Sequence, residues 1–142
     1  MPSPSVHAAN EPATSAPPRF YGLLKAAAAL LATAMLIQGI TAGQLLDGAG
    51  NGSEMHRTTS GIVVLALLVT IVTAFLVRRG GGPARPLATS LVTTVLVVVQ
   101  YALGDSGETA VHVPLGVLLM GGAAALAAQV WSQPGVRRPG VS

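Results

Sequence analysis

Four long apolar segments make up most of this 142-residue chain. They cover about residues 21–46, 55–77, 87–103 and 111–131. Each is close to the roughly 17 to 25 residues that a helix needs to cross a hydrocarbon core. Hydrophobic residues make up 51% of the chain and charged residues only 9%, which is too apolar for an ordinary soluble domain. The sequence therefore predicts an all-α integral membrane protein with four transmembrane helices.

The two ends of the chain differ in composition from these segments. Residues 1–18 are rich in Pro, Ser and Ala and contain no apolar run, which predicts a disordered tail. Residues 19–132 form the predicted transmembrane domain, and residues 133–142 form a second tail. His7 lies in the first tail, so we do not count it among the candidate site residues.

Basic residues flank alternate ends of the apolar segments. One set of ends carries Arg19, Lys25, Arg78, Arg79, Arg85, Arg137 and Arg138. The opposite set carries Arg57 and four acidic residues, namely Asp47, Glu54, Asp105 and Glu108. Since loops rich in Lys and Arg stay in the cytoplasm, we expect an up-down-up-down bundle in the plasma membrane with both termini cytoplasmic.

Several function classes lack the residues that they require. The chain contains no cysteine, which excludes disulfides, thiolate metal ligands and cysteine nucleophiles. No phosphate-binding glycine loop and no nucleophile–base–acid set occurs in the sequence. Nucleic acid is not an expected partner, because the basic residues flank apolar segments and form no stripe with interleaved aromatic residues.

The two halves of the chain resemble each other. The stretches "LIQGITAG" and "VVQYALG" end the first and third segments, and each has a glutamine, Gln38 or Gln100, with a glycine four or five residues later. His56 and His112 then open the second and fourth segments. We expect two similar helical hairpins, with the two histidines at equivalent positions near the extracytoplasmic face.

A histidine inside a membrane span is costly unless it has a task. The second and fourth helices of such a bundle are diagonal neighbours, so His56 and His112 can meet across its axis. Two neutral imidazoles suit the iron of a six-coordinate haem. Zinc fits less well, because it usually takes three or four protein ligands. Besides the two histidines, the sequence provides only Glu54 or Glu108 as a further ligand. The alternative is that both histidines are interfacial polar residues without a ligand.

Neighbouring residues complete the candidate cofactor site. We expect Arg57 to pair with a haem propionate, or else to extend to lipid headgroups. Gly61 and Gly116 follow the histidines and either leave room for a flat group or serve helix packing. Gln38 and Gln100 either bond one another between helices or contact the cofactor.

The order of features in each half resembles the repeat of the haem A synthase family. That order is a Gln and a Gly near the end of one helix, then an outer loop, then "HR" or "H" at the start of the next helix. Members of that family have two similar four-helix halves, each with a histidine pair on its second and fourth helices. This chain is similar to one such half over about residues 21–131, most closely in "VVQYALG" with "VHVPLG" and then in "MHRTTSG". The resemblance implies that His56 and His112 are axial haem ligands.

The resemblance also places Glu54 near an acidic residue that the family uses close to its first-loop histidine. Glu54 is thus a candidate catalytic residue, although it precedes His56 by two residues where the family pattern leads us to expect three. The cysteine pair found in the first loop of many members is missing. These departures separate haem binding, which the histidines support, from the oxidation of a haem methyl group.

We therefore expect a small membrane protein that binds haem b between His56 and His112 and serves electron transfer or haem handling. Two alternatives stay open: a half-size, haem A synthase-like oxidase of a haem methyl group, and a cofactor-free structural or accessory membrane protein. The expected partners are membrane lipid, a redox or respiratory membrane protein, and a second copy of the chain in a homodimer.

Overall fold

A computed structural model describes residues 17–132 of the chain. The described part consists of four helices and their connections: α1 (Tyr21–Leu46), α2 (Gly52–Arg79), α3 (Arg85–Ser106) and α4 (Thr109–Ser132). Each helix is long and apolar enough to cross a membrane, which confirms the predicted all-α architecture with four membrane-spanning helices. Helix α1 has the predicted bounds, and the other three begin earlier and end later than predicted. His7 and the tail after residue 132 lie outside the described residues.

The four helices pack in a ring in which sequence neighbours are also neighbours in space. Helix α1 contacts α2 and α4, and α3 contacts the same two helices. Helices α2 and α4 therefore stand diagonally opposite each other, as an up-down-up-down bundle requires. We call the end with the α1–α2 and α3–α4 connections the histidine end, and the end with the α2–α3 connection the arginine end.

An apolar core fills the part of the bundle nearer the arginine end. Its side chains recur every three or four residues along each helix, so that they form one inward face. They include Leu24, Leu31 and Met35 of α1, Val63, Leu67 and Val77 of α2, Val97 of α3, and Leu119, Leu126 and Val130 of α4. Beyond Met35, Val63, Val97 and Leu119 toward the histidine end, only Thr41 and Gly52 are buried among the described residues.

Hydroxyl groups inside the core bond to backbone carbonyls. Thr70 is fully buried and its Oγ1 donates to Ala66 O at 2.8 Å, with Ala27 O of the neighbouring helix at 3.2 Å. Ser90 Oγ donates to Pro86 O at 2.8 Å. A buried hydroxyl without such a partner would be costly in an apolar environment, so these bonds let the inward faces of α2 and α3 carry polar residues.

The turn between α3 and α4 sets the position of the second histidine. It consists of Gly107, with a left-handed φ of 76°, and Glu108. Glycine adopts this conformation without steric cost, which allows a sharp reversal. Helix α4 then continues through Pro114, although a proline disfavours helical angles at the residue before it. The hydrogen bond that Pro114 cannot donate would have gone to Ala110 O, in the exposed first turn.

The outer surface of the bundle is apolar along the length of the helices. Its exposed side chains include Leu23, Leu30, Leu65, Leu68, Val95, Val98, Val117 and Leu118. A surface of this kind matches a hydrocarbon solvent and would be unfavourable in water. The structure is thus that of a multi-pass membrane protein.

Leu31 and Leu30 offer a matched test of the core. Leu31 is 0% exposed and Leu30 is 52% exposed. We expect Leu31→Ala to lower the free energy of unfolding by about 2 to 5 kcal/mol, because it leaves a cavity between helices. Leu30→Ala should change it by less than about 0.5 kcal/mol, since lipid tails replace the lost contacts. Unfolding in mixed micelles, followed by circular dichroism, measures both; equal losses would contradict the assigned core.

Candidate functional site

The two candidate histidines lie side by side at the histidine end. His56 is in the first turns of α2 and His112 is in the first turn of α4. Their ring centroids are 6.2 Å apart and their ring planes are inclined by 67°. Both side chains are half-buried. Two diagonal helices therefore bring their imidazoles together across the bundle, as the predicted arrangement of α2 and α4 implies.

His112 is held by a reciprocal pair of hydrogen bonds with α3. Its ring Nδ1 lies 3.0 Å from the backbone oxygen of Gln100. The Gln100 side-chain Nε2 donates in return to the backbone oxygen of His112 at 2.8 Å. Because a carbonyl oxygen only accepts, His112 Nδ1 must carry the proton, and in the neutral ring Nε2 then has a free lone pair.

Two glycines make this arrangement possible. A Cβ atom at Gly104 would lie 3.0 Å from His112 Cε1 and 3.3 Å from its Nδ1. A Cβ atom at Gly116 would lie 3.0 Å from Gln100 Nε2. Both approaches are closer than ordinary van der Waals contact. Gly116 therefore makes room for the Gln100 amide, and Gly104 makes room for the imidazole.

His56 belongs to a more extensive polar cluster with α1. Gln38 Nε2 lies 3.2 Å from both ring nitrogens of His56. Thr59 is bonded to Gln38 Oε1 and lies 3.0 Å, oxygen to oxygen, from Thr41. Thr41 Oγ1 in turn donates to Gln38 O at 3.0 Å and is 3.5 Å from His56 Nδ1. The imidazole is thus oriented by an amide that is itself held by a hydroxyl.

The two hairpins use their Gln and His residues in corresponding ways. In each hairpin the glutamine of the first helix bonds to the histidine of the second, although the sequence separation is 18 residues in one case and 12 in the other. The amide of Gln38 contacts the imidazole ring itself, whereas that of Gln100 contacts the backbone of His112. The internal repeat in the sequence therefore corresponds to a repeated pairing of a glutamine with a histidine.

Sequence reasoning missed the two threonines. Thr41 lies three residues after Gln38, and Thr59 lies three residues after His56. Residues with this spacing share a helix face, so the spacing was a usable signal. Gly104 stands within the quoted repeat "VVQYALG", but its contact with His112 depends on how α3 and α4 pack.

Other residues assigned to the site from the sequence lie outside this cluster. Arg57, Glu54 and Gly61 are exposed on α2, and a Cβ atom added at Gly61 would contact nothing within 4 Å. Gly61 therefore does not border the His56 ring, whereas Arg57 lies at the rim of the histidine end.

One buried polar atom of the cluster has no partner. Gln100 Oε1 is buried, and no group among the described residues bonds to it. The amide cannot simply be reversed, because Nε2 already donates to His112 O. The cluster therefore contains a polar atom that the described part of the bundle does not satisfy. A buried acceptor without a partner typically costs about 1 to 3 kcal/mol.

A separate groove lies between α2 and α3. It has a volume of about 200 Å³ and is lined mainly by apolar side chains, among them Val64, Ile71 and Val98, with Tyr101 also bordering it. The groove offers a surface for apolar groups. It does not include the histidines or the glutamines of the polar cluster.

Within residues 17–132 no group of three or more His, Cys, Asp or Glu side chains is placed to hold a metal ion. No protein-family model matches the chain, and neither a curated protein nor a solved structure matches it. The chemistry available to the site is therefore that of the two imidazoles and their hydrogen-bond partners.

Gly104 and its repeat counterpart Gly43 give a paired test of the His112 site. Alanine in a helix is normally more stable than glycine by about 0.5 to 1 kcal/mol. Gly43→Ala should show that gain, because a Cβ atom there would contact nothing within 4 Å. Gly104→Ala should be destabilising, because its Cβ atom would lie 3.0 Å from His112 Cε1 and the ring can move away only by disturbing its bond to Gln100 O.

Two measurements check this pair of variants. Unfolding in mixed micelles gives the sign of each stability change. The ¹⁵N chemical shift of His112 Nδ1 should also move in Gly104→Ala, because the bond to Gln100 O is disturbed. An unchanged shift together with a stability gain would show that Gly104 does not support the imidazole.

Proposed function

We propose that this membrane protein binds haem b between His56 and His112 and serves electron transfer or haem handling. The observation that carries the proposal is the 6.2 Å separation of the two ring centroids across the bundle. An imidazole nitrogen binds a metal at about 2.0 Å, and the ring centroid lies about 1 Å behind it, so rings on opposite sides of one ion have centroids about 6 Å apart. The 67° inclination of the ring planes is compatible with the proposal, because each imidazole would be held through one nitrogen and could turn about that bond.

The position of the proton on the neutral His112 ring supports the same proposal. With Nδ1 donating to Gln100 O, the free lone pair is on Nε2. A metal-bound histidine typically donates its other ring N–H to a carbonyl or carboxylate, which fixes the ring and makes the ligand nitrogen more basic. His112 has this arrangement without any change in the surrounding residues.

His56 reaches the equivalent state when the Gln38 amide is reversed. Gln38 Oε1 then accepts from His56 Nδ1–H, and Gln38 Nε2 donates to the Thr59 hydroxyl. Thr59 Oγ1 keeps an acceptor for its own proton in Met55 O, at 2.9 Å. Since the two ends of an amide have nearly the same shape, this exchange leaves the backbone in place. The same Gln38 atom is 3.2 Å from both ring nitrogens, so the His56 ring also has to turn until Nδ1 alone faces it. Gln38 and Thr59 would thus orient His56 as a ligand through Nε2.

Haem suits a site with two histidines better than a bare metal ion does. Zinc usually takes three or four protein ligands, whereas haem iron takes four nitrogens from the porphyrin and two from the protein. The layer around the histidines also lies beyond the packed apolar core, which ends at Met35, Val63, Val97 and Leu119. When bound, haem would supply one-electron oxidation and reduction at its iron.

Arg57 is the proposed counter-charge for a haem propionate. It is exposed at the histidine end, directly after His56, and it is the one basic residue at that end among the described residues. A guanidinium can bind a carboxylate through two parallel hydrogen bonds. Arg57 would thus hold the polar edge of the cofactor toward water.

The visible absorption spectrum of the detergent-purified protein tests haem binding. We expect a low-spin, six-coordinate spectrum with sharp reduced bands and stoichiometric haem b in a pyridine extract. His56→Ala and His112→Ala should each abolish that spectrum, because each removes one of the two residues that would hold the haem. His7→Ala is the matched control and should leave it unchanged.

Circular dichroism separates loss of a ligand from loss of the fold in these variants. Retention of the full low-spin spectrum in both single variants would show that the two histidines do not act as a pair. A colourless wild-type protein, even after haem is supplied during expression, would favour the cofactor-free accessory protein instead.

We further propose that the protein lies in the plasma membrane with both termini in the cytoplasm and the histidine end outside. The support is the distribution of basic residues, since Arg78, Arg79 and Arg85 surround the α2–α3 connection and Arg57 alone is basic at the opposite end among the described residues. The proposed haem would then lie close to the extracytoplasmic surface.

Single cysteines can test this orientation cleanly, because the chain has no cysteine of its own. Ala49→Cys, in the α1–α2 connection, should react with a membrane-impermeant maleimide added to intact cells. Ala84→Cys, in the α2–α3 connection, should react only after the membrane is opened. The reverse pattern of labelling would place the histidine end in the cytoplasm.

A further inference from the structure

The charges of the described residues are divided between the two ends of the bundle. The arginine end carries Arg19, Lys25, Arg78, Arg79 and Arg85. All four acidic residues of the described part, Asp47, Glu54, Asp105 and Glu108, belong to the histidine end. The cations of the arginine end therefore have no carboxylate partners among residues 17–132, and their field attracts anions.

Lys25 differs from the other cations because it lies within a helix span. It is the fifth residue of α1, about 6 Å along the axis from the start of that helix, and it is half-buried. Its Nζ lies 5.8 Å from the centroid of the Tyr21 ring and 5.4 Å from that of the Trp131 ring. The ammonium group is therefore held at the line of contact between α1 and α4.

The two aromatic residues are themselves fixed to the neighbouring helix. Tyr21 Oη donates to Val130 O at 3.1 Å, and Trp131 Nε1 donates to Lys25 O at 3.3 Å. These bonds run in opposite directions across the line of contact, and they join the start of α1 to the end of α4. We call Tyr21, Lys25 and Trp131 the α1–α4 clamp.

A cation at this depth requires compensation. An aromatic face attracts an ammonium group less strongly than an anion does, so the two rings leave most of the Lys25 charge unbalanced. Tyr and Trp are characteristic of the boundary between hydrocarbon and headgroups, so we expect the clamp to lie at the level of the lipid phosphates. A phosphodiester is the anion available at that level, and Lys25 can extend its ammonium toward it.

We propose that the α1–α4 clamp binds the headgroup phosphate of an anionic phospholipid through Lys25. Electrostatics selects an anionic lipid over a zwitterionic one, because a zwitterionic headgroup carries a cationic group beside its phosphate and Lys25 repels that group. The site is independent of the proposed haem, since it lies at the opposite end of the bundle. Its occupancy would also bind α1 and α4 together at the membrane surface.

Trp131 provides the measurement, because it is the single tryptophan of the chain. The purified protein is placed in vesicles made of equal mole fractions of phosphatidylcholine and phosphatidylglycerol. In one preparation the acyl chains of phosphatidylcholine carry bromine atoms, and in the other those of phosphatidylglycerol carry them. Bromine quenches indole fluorescence on contact. We expect quenching to indicate about fivefold enrichment of phosphatidylglycerol at Trp131, and high salt to reduce it.

Variants distinguish the clamp from the general charge of the arginine end. Lys25→Gln should bring the quenching by the two brominated lipids to equality, and Lys25→Arg should keep the preference. Arg78→Gln and Arg85→Gln remove charge at the same end but on α2 and α3. These two variants should keep most of the preference for phosphatidylglycerol. Circular dichroism verifies the fold of each variant.

Three outcomes would overturn the proposal. The first is equal quenching by the two lipids in the wild-type protein, which needs no variant to fold. The second is an unchanged preference in folded Lys25→Gln. The third is an equal loss in Lys25→Gln, Arg78→Gln and Arg85→Gln, which would assign the preference to diffuse charge.

Discussion

Polar side chains inside an apolar bundle must find their partners on the bundle itself, and this constraint governs the structure. Hydrocarbon offers neither donors nor acceptors, so an unpaired amide or imidazole there is costly. Thr70 and Ser90 meet the constraint with backbone carbonyls in the core. The glutamines bond to His56 and His112 of the adjacent helix, which ties each hairpin together where the apolar core ends. Gln100 Oε1 is the exception, since it is buried without a partner among the described residues.

The two ends of the bundle therefore differ in packing density and in polarity. Near the arginine end, apolar side chains interlock and the α1–α4 clamp joins the first helix to the last. Near the histidine end, few side chains are buried, and half-buried polar groups from all four helices face one another. The packed arginine end supports a less densely packed polar layer at the histidine end. Such an arrangement suits the proposed cofactor, because the packed helices keep the histidines in position while the polar layer leaves room for the bound group.

Much of the site could be predicted from the sequence, and the failures have geometric causes. Gly116 follows His112 by four residues, which is about 40° around a helix, whereas Gly61 follows His56 by five, which is about 140°. Only Gly116 can therefore share a face with its histidine. Thr41 and Thr59 share a helix face with Gln38 and His56 by their spacing, but many hydroxyls occur on these helices, and the spacing alone does not select these two as partners of one another.

The sequence by itself determined the four helices, the pairing of similar hairpins and the presence of a histidine at the start of α2 and of α4. Those features follow from local apolar length and from repeated residue patterns, which do not depend on distant contacts. Only the tertiary structure decided that the His56 and His112 rings lie 6.2 Å apart and that Gly104 backs one of them. The rotation of each helix about its axis depends on packing against its neighbours, and that rotation selects which side chains meet.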